Sequence, residues 1–156
     1  AIIVEYSKAI FNKLSQTNHY EVDRLEGSLL DNMPDFDLEE LVISYIQVNY
    51  DYYVLSNSIA SKSTTIKVEC EFLSRDPKRV RKAVVQVKGR KAEALDALQF
   101  ADFTQNGYEV FLFAPEVLNA DKLDNIVVIT PNELIDFYEN YKVILSDSIT
   151  QWENLY

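Results

Sequence analysis

The sequence predicts an α/β fold in which a mixed β-sheet of about five strands is flanked by helices. Apolar residues recur at helical spacing in several segments, and β-rich runs lie between these segments. The order is helices, a meander of three strands, and then helix, two strands and helix, which favours a layered α/β arrangement. A chain of 156 residues, 47% of them hydrophobic, suits one compact unit. We expect an N-terminal helical extension over 1–36, packed on a core domain over 37–156.

Helical periodicity predicts three helices in the first third of the chain, over 2–15, 19–32 and 37–48. The last of them follows a break that contains Pro34. Asp37 is expected to cap this helix, because a side-chain oxygen at that position can accept a hydrogen bond from the first turn. Glu40, three residues later, is expected to complete a capping box.

The remaining elements follow from alternation, apolar runs and turn residues. A tight turn over 75–81 separates the second and third strands. Predicted strands cover 50–56, 64–73, 82–88, 108–114 and 125–130, the last two as continuous apolar runs typical of buried central strands. Predicted helices cover 91–103, 130–141 and 146–155. Thr130 is the expected cap of the second of these, with Pro131 at its first position and Glu133 at its third.

Several classes of function are excluded by composition. One cysteine, Cys70, cannot form an internal disulfide or a thiolate zinc site, and His19 is the single histidine. Three widely separated glycines leave no phosphate-binding glycine loop. No apolar run reaches the roughly 18 residues of a membrane span, and no signal peptide is recognisable, so we expect a cytoplasmic protein. The chain does not begin with Met, as expected for a piece of a longer polypeptide.

Positive charge is concentrated in one part of an acidic chain. The formal net charge is −10, yet the segment 75–91, here called the basic segment, holds eight Lys and Arg residues and one acidic residue. Taken alone, this charge indicates a solvated hairpin more readily than a nucleic-acid contact. It gains weight from the polar residues beside it, because phosphate binding depends on clustered Lys and Arg.

Acidic, amide and amine side chains are predicted to meet on the second and third strands. Alternation puts Glu69 and Glu71 on one face of the second strand, and Gln86 and Lys88 on one face of the third. Pairing about Pro77 sets Glu69 opposite Gln86, while a slip of two residues would bring Glu71 there instead. The other face of the second strand is predicted to hold Ile66, Val68, Cys70 and Phe72.

This combination of side chains suits a divalent cation and a phosphate. Carboxylate and amide oxygens are hard ligands for Mg²⁺ or Mn²⁺, so Glu69, Glu71 and Gln86 are the candidate metal ligands. Lys88 cannot ligate while charged, but beside a metal it can orient or deprotonate a water molecule. Asp51 could also reach a metal, although a turn role is the simpler interpretation.

The motif Glu69, Gln86-Val87-Lys88 resembles that of the PD-(D/E)xK nuclease superfamily. The resemblance covers about residues 37–130 and implies a restriction-endonuclease-like α/β/α sandwich. It also implies a catalytic Glu on the leading helix, which matches Glu39, with Glu40 as the alternative. The sequence departs from the family pattern by Glu in place of the usual first Asp and by Gln86 in place of the second acid.

The expected activity is therefore metal-dependent hydrolysis of phosphodiester bonds, with DNA as the expected substrate. The expected phosphate contacts are Arg79, Arg81, Arg90 and Lys91. Restriction-like domains often dimerise, which makes a homodimer compatible with this interpretation. A catalytically inactive nuclease-like module that binds nucleic acid or a partner protein is the main alternative, favoured by Gln86 and the acidic composition. An interaction domain with no nucleic-acid role is a third.

Overall fold

A computed structural model describes residues 29–55, 68–89 and 91–155 of the chain. The first predicted helix, most of the second and the start of the second predicted strand lie outside these residues, as does Arg90.

The core of the molecule is a five-stranded mixed sheet, which confirms the predicted fold class. Its strands are β1 Tyr52–Val54, β2 Cys70–Ser74, β3 Lys82–Val87, β5 Glu109–Phe113 and β7 Ile126–Val128, in the order β1-β2-β3-β5-β7. The first three form an antiparallel meander, and β3, β5 and β7 run parallel. Two short strands, β4 Leu95–Asp96 and β6 Val117–Leu118, pair separately. The carboxyl ends of β3, β5 and β7 therefore lie at one edge of the sheet.

Helices complete the fold around the sheet. The α-helices are α1 Asp35–Asn49, α2 Ala101–Gln105, α3 Pro131–Tyr141 and α4 Asp147–Thr150. Short 3₁₀-helices cover Ala97–Phe100, Ala120–Lys122, Lys142–Ile144 and Gln151–Leu155. Among the described residues, none of the helices has both the length and the apolarity that crossing a bilayer demands.

The apolar side chains form two clusters, one on each face of the sheet. Cys70, Phe72 and Val85 belong to the cluster that contains α1 and α3, whereas Val84 and Leu112 belong to the other. The prediction that Val68 shares a face with Cys70 is wrong, because Val68 packs against the second cluster. Residue 69 forms a bend and the regular strand begins only at Cys70, so alternation does not extend across it.

The predicted cap of α1 is also wrong. The helix begins at Asp35 after Pro34, and the residue at the cap position makes no side-chain hydrogen bond. Asp37 is instead completely buried within the first turn. Its carboxylate accepts hydrogen bonds from Ser148 Oγ and, at 3.0 Å, from Trp152 Nε1. Asp37 thus joins α1 to the C-terminal segment rather than capping its own helix.

The single helix predicted over 91–103 is replaced by β4, a 3₁₀-helix and α2. The reason lies at Asp96, whose carboxylate accepts hydrogen bonds from the Leu98 backbone N–H and the Asn119 side chain, both at 3.0 Å. Aspartate favours such a cap over a helix interior, so the helical segment starts after it.

The second half of the fold otherwise follows prediction. The capping box at Thr130 and Glu133 is confirmed, with both reciprocal hydrogen bonds present. In β5, all residues after Glu109 are buried, as expected of a central strand. In contrast, β7 is an edge strand whose Val128 is 37% exposed, so its apolar run does not mark full burial.

Candidate functional site

A cavity of about 430 Å³ opens at the end of the sheet where β3 terminates. The start of α1 forms one wall, and the residue that precedes β2 forms another. Its polar lining consists of four acidic and two basic side chains. The cavity is lined by Asp31, Met33, Asp35, Glu39, Glu69, Val87, Lys88, Gly89, Lys91 and Ala92.

Glu69 and Gln86 face each other across the β2–β3 pair, as the symmetric hairpin predicts. Cys70 pairs with Val85, which sets Glu69 opposite Gln86. The side chains meet directly, because Gln86 Nε2 donates a hydrogen bond to Glu69 Oε1 at 3.0 Å. Gln86 is 3% exposed, and within the described part of the chain no group donates to its Oε1. The pairing therefore leaves a buried amide oxygen beside Glu69.

Glu39 joins this pair from α1. Burial raises the pKa of the Glu69 carboxyl above its ordinary 4.5, whereas the charge of Lys88, the Val87 N–H and a hydrogen bond with Glu39 act to lower it. The two carboxyl groups therefore lie close together, with the positive charge of Lys88 acting on Glu69.

Lys88 is fixed by its backbone at the mouth of the cavity. Its N–H donates to the Phe113 carbonyl at 2.7 Å, which continues the β3–β5 pairing by one residue. Its positive charge acts on Glu69 and favours the ionised carboxylate. The amine and the carboxylate thus lie at the same place, which is the arrangement that the Gln86-Val87-Lys88 motif predicts.

Asp35 is a site residue that sequence reasoning missed. It precedes Glu39 by one helical turn, so both project from the same face of α1. A Cβ at Gly89 would stand 2.8 Å from Asp35 Oδ1, so the Asp35 carboxylate lies directly against Gly89. The i, i+4 spacing of Asp35 and Glu39 was the available signal.

Two other candidate ligands lie elsewhere. Glu71 pairs with Val84, two positions further along β2, and does not line the cavity. Asp51 forms an ion pair with Arg75 at 3.0 Å and has a positive φ of 59°, as expected for its turn. Of the alternatives left open by the sequence, the geometry favours Glu69 over Glu71.

The basic segment is divided between the two ends of the sheet. Lys88 and Lys91 line the cavity, whereas Arg79 and Arg81 lie beyond the opposite end of β3. Arg81 is engaged there: its guanidinium donates to Asn125 Oδ1 at 2.8 Å and lies 3.5 Å from Glu109. Six residues of β3 at about 3.3 Å each separate the ends by roughly 20 Å. The structure therefore brings Lys91 to the site and keeps Arg79 and Arg81 away from it.

The chemistry of the donors fits a hard divalent cation with few protein ligands. Among the described residues, no group of three or more His, Cys, Asp or Glu side chains is arranged to hold a metal ion. Glu39 and Glu69 line the cavity and could supply two carboxylates, whereas the predicted ligand Gln86 does not line it and contacts Glu69 instead. Mg²⁺ is commonly bound by one or two carboxylates, with water and substrate phosphate completing its shell.

Comparison of the chain with protein-family models, with curated proteins and with solved structures finds no match. Arguments about its function therefore depend on the geometry of the cavity.

Proposed function

We propose that this chain is a metal-dependent nuclease of the restriction-like type that hydrolyses phosphodiester bonds in DNA. The observation that supports the proposal best is the convergence of Glu39, Glu69 and Lys88 from three separate stretches on one cavity, with Gln86 hydrogen-bonded to Glu69. These are the residue types, in the order along the chain, that the resemblance to the PD-(D/E)xK superfamily implies.

Each side chain has a role that its surroundings support. Glu39 and Glu69 would hold the cation, since both carboxyl groups line the same cavity. Gln86 keeps Glu69 in position through its hydrogen bond. A bound Mg²⁺ would polarise the phosphate and lower the pKa of a coordinated water. Lys88 orients the attacking water or donates to a phosphate oxygen as charge develops there. Lys91, at the same cavity, is suited to a neighbouring phosphate.

The role of Lys88 gives the first test. The variant Lys88→Ala should lose Mg²⁺-dependent cleavage of duplex DNA by at least about 100-fold, the scale of a positioned acid–base group. Its thermal unfolding should stay close to that of the parent, because Lys88 makes its described hydrogen bond through the backbone. The matched control is Lys122→Ala, which removes an exposed lysine from another element. If Lys88→Ala cleaves as fast as the parent and the control, the catalytic assignment is wrong.

A second candidate function is a nuclease-like module that binds nucleic acid without cleaving it. Gln86 stands where the motif usually has a second acid, and the absence of a three-ligand group among the described side chains favours this alternative. The two functions separate in one experiment. A protein that binds duplex DNA equally with and without Mg²⁺, and cleaves none of several DNA forms, has the second function.

A further inference from the structure

The turn between β2 and β3 carries a small basic surface at the end of the sheet opposite the cavity. This surface, here called the hairpin tip, consists of Pro77, Lys78, Arg79 and Val80, all of which are exposed. Val80 is 83% exposed. The hairpin tip is thus an apolar side chain flanked by cations.

The turn that presents these side chains is ordered by its own hydrogen bonds. Asp76 Oδ1 accepts from the Lys78 N–H at 2.9 Å, and the Asp76 carbonyl accepts from the Arg79 N–H at 3.1 Å. Asp76 is the one acid of the basic segment, and its carboxylate is used by the turn backbone rather than by a lysine or arginine head group. The tip is therefore preorganised for contact.

Within the described part of the chain, the charges at the tip differ from their neighbours in having no acidic partner in an ion pair. Arg75 is paired with Asp51 and Arg81 with Glu109, so both are committed within the fold. Among the described residues, no carboxylate forms an ion pair with Lys78 or Arg79. Two exposed cations that form no ion pair with the other described residues make a local positive surface, on a chain with a net charge of −10, that is suited to a polyanion.

We propose that the hairpin tip is a second nucleic-acid contact, which grips the backbone of the same duplex that is cut in the cavity. This proposal rests on the proposed function and extends it to the substrate. The tip and the cavity are separated by the length of β3, roughly 20 Å. At about 3.4 Å per base pair, one duplex bridges them over about six base pairs. Val80 would then lie against the sugar edge of a groove, between two phosphate contacts.

The spacing implies a substrate class. A mononucleotide is too short to reach both surfaces, whereas a duplex can engage both. The chain is therefore expected to prefer a duplex that extends at least six base pairs to one side of the cut, because only this substrate gains the extra phosphate contacts.

The test compares the parent with Lys78→Gln/Arg79→Gln on a duplex of about 20 base pairs, by fluorescence anisotropy across a salt series. Each phosphate contact contributes about 0.9 to the slope of log affinity against log salt. The variant should lower that slope by about 2 and weaken binding on the order of ten-fold at physiological salt. The footprint on one side of the cut should shorten as well. The matched control Gln99→Glu/Asn132→Asp changes the net charge equally at exposed positions away from the tip and the cavity, and should bind like the parent.

The outcomes separate the two proposals. If the parent binds and cleaves the duplex but the tip variant keeps the same slope and footprint, the second contact is wrong and the nuclease proposal stands. If the parent neither binds nor cleaves, both proposals fail. Poly-glutamate peptide is the control for a general polyanion. If it binds the parent as tightly as the duplex does, and binds the tip variant as weakly as the duplex does, the nucleic-acid assignment is overturned. Thermal unfolding of the variant near the parent's temperature shows that the fold as a whole is intact.

Discussion

Glu69 is the residue at which the folding and the proposed chemistry of this molecule conflict. Its carboxyl group is partly buried beside Glu39 and Asp35, and burial is the main reason that its pKa is raised. A group whose pKa rises on folding stabilises the native state when protonated, and costs stability once pH passes the folded pKa. At neutral pH without a metal, Glu69 therefore weakens the fold that positions it.

This cost predicts the behaviour of Glu69→Gln. The amide oxygen can still accept from Gln86, while the buried negative charge is removed. In metal-free buffer at pH 7, the variant should unfold at a higher temperature than the parent. The difference should shrink as pH falls toward 4.5, where the unfolded parent also becomes protonated. Thermal melts across this pH range measure the effect, and a variant less stable than the parent at pH 7 would contradict it.

At the scale of elements, α1 carries both the proposed catalytic Glu39 and Asp37. The hydrogen bonds of Asp37 to the C-terminal segment, here called the clasp, fix the helix. Asp37, two residues before Glu39, is bonded to Ser148 of α4 and to Trp152 of the last 3₁₀-helix. Trp152 is completely buried. The C-terminal segment thus sets where α1 lies, and through α1 it sets where Glu39 meets the cavity.

The clasp predicts a contrast between two substitutions. Asp37→Ala removes the carboxylate that accepts from Ser148 Oγ and Trp152 Nε1, which should lower the free energy of unfolding by about 2 kcal/mol. Asp37→Asn keeps an acceptor oxygen and removes the charge of a carboxyl group whose pKa is raised by burial. Its free energy of unfolding should therefore be close to that of the parent at pH 7. Urea unfolding of the three proteins measures both values. Equal destabilisation by the two substitutions would show that the charge, rather than the acceptor, holds the clasp.

At the scale of the whole molecule, local sequence patterns predicted the strands of the sheet well. They predicted the contacts of the segments around the sheet poorly. The apolar runs of β3 and β5 and the box at Thr130 are local signals, and each element forms as predicted. The pairing of Glu69 with Gln86 followed from hairpin symmetry. Asp37 was misassigned because its partners lie more than 100 residues away in the chain.

The residues of the candidate site that lie on the strands were predicted from the sequence, but those on the surrounding elements were predicted only in part. Gln86 and Lys88 were identified by spacing, and Glu39 by resemblance. Asp35 was missed because its approach to Gly89 depends on how α1 docks, which periodicity does not encode. Likewise, charge density along the sequence does not reveal that β3 divides the basic segment between opposite ends of the sheet.

The central claim is that Glu69, held by Gln86 and paired with Glu39, forms one end of a cation site. Calorimetric titration with Mn²⁺ tests it most directly, on the parent, Glu69→Gln and Glu71→Gln. The last two remove the same charge two residues apart, yet Glu71 does not line the cavity. We expect one binding event in the parent and in Glu71→Gln, and its loss in Glu69→Gln. Undiminished binding in Glu69→Gln, or equal loss in both variants, would contradict the account.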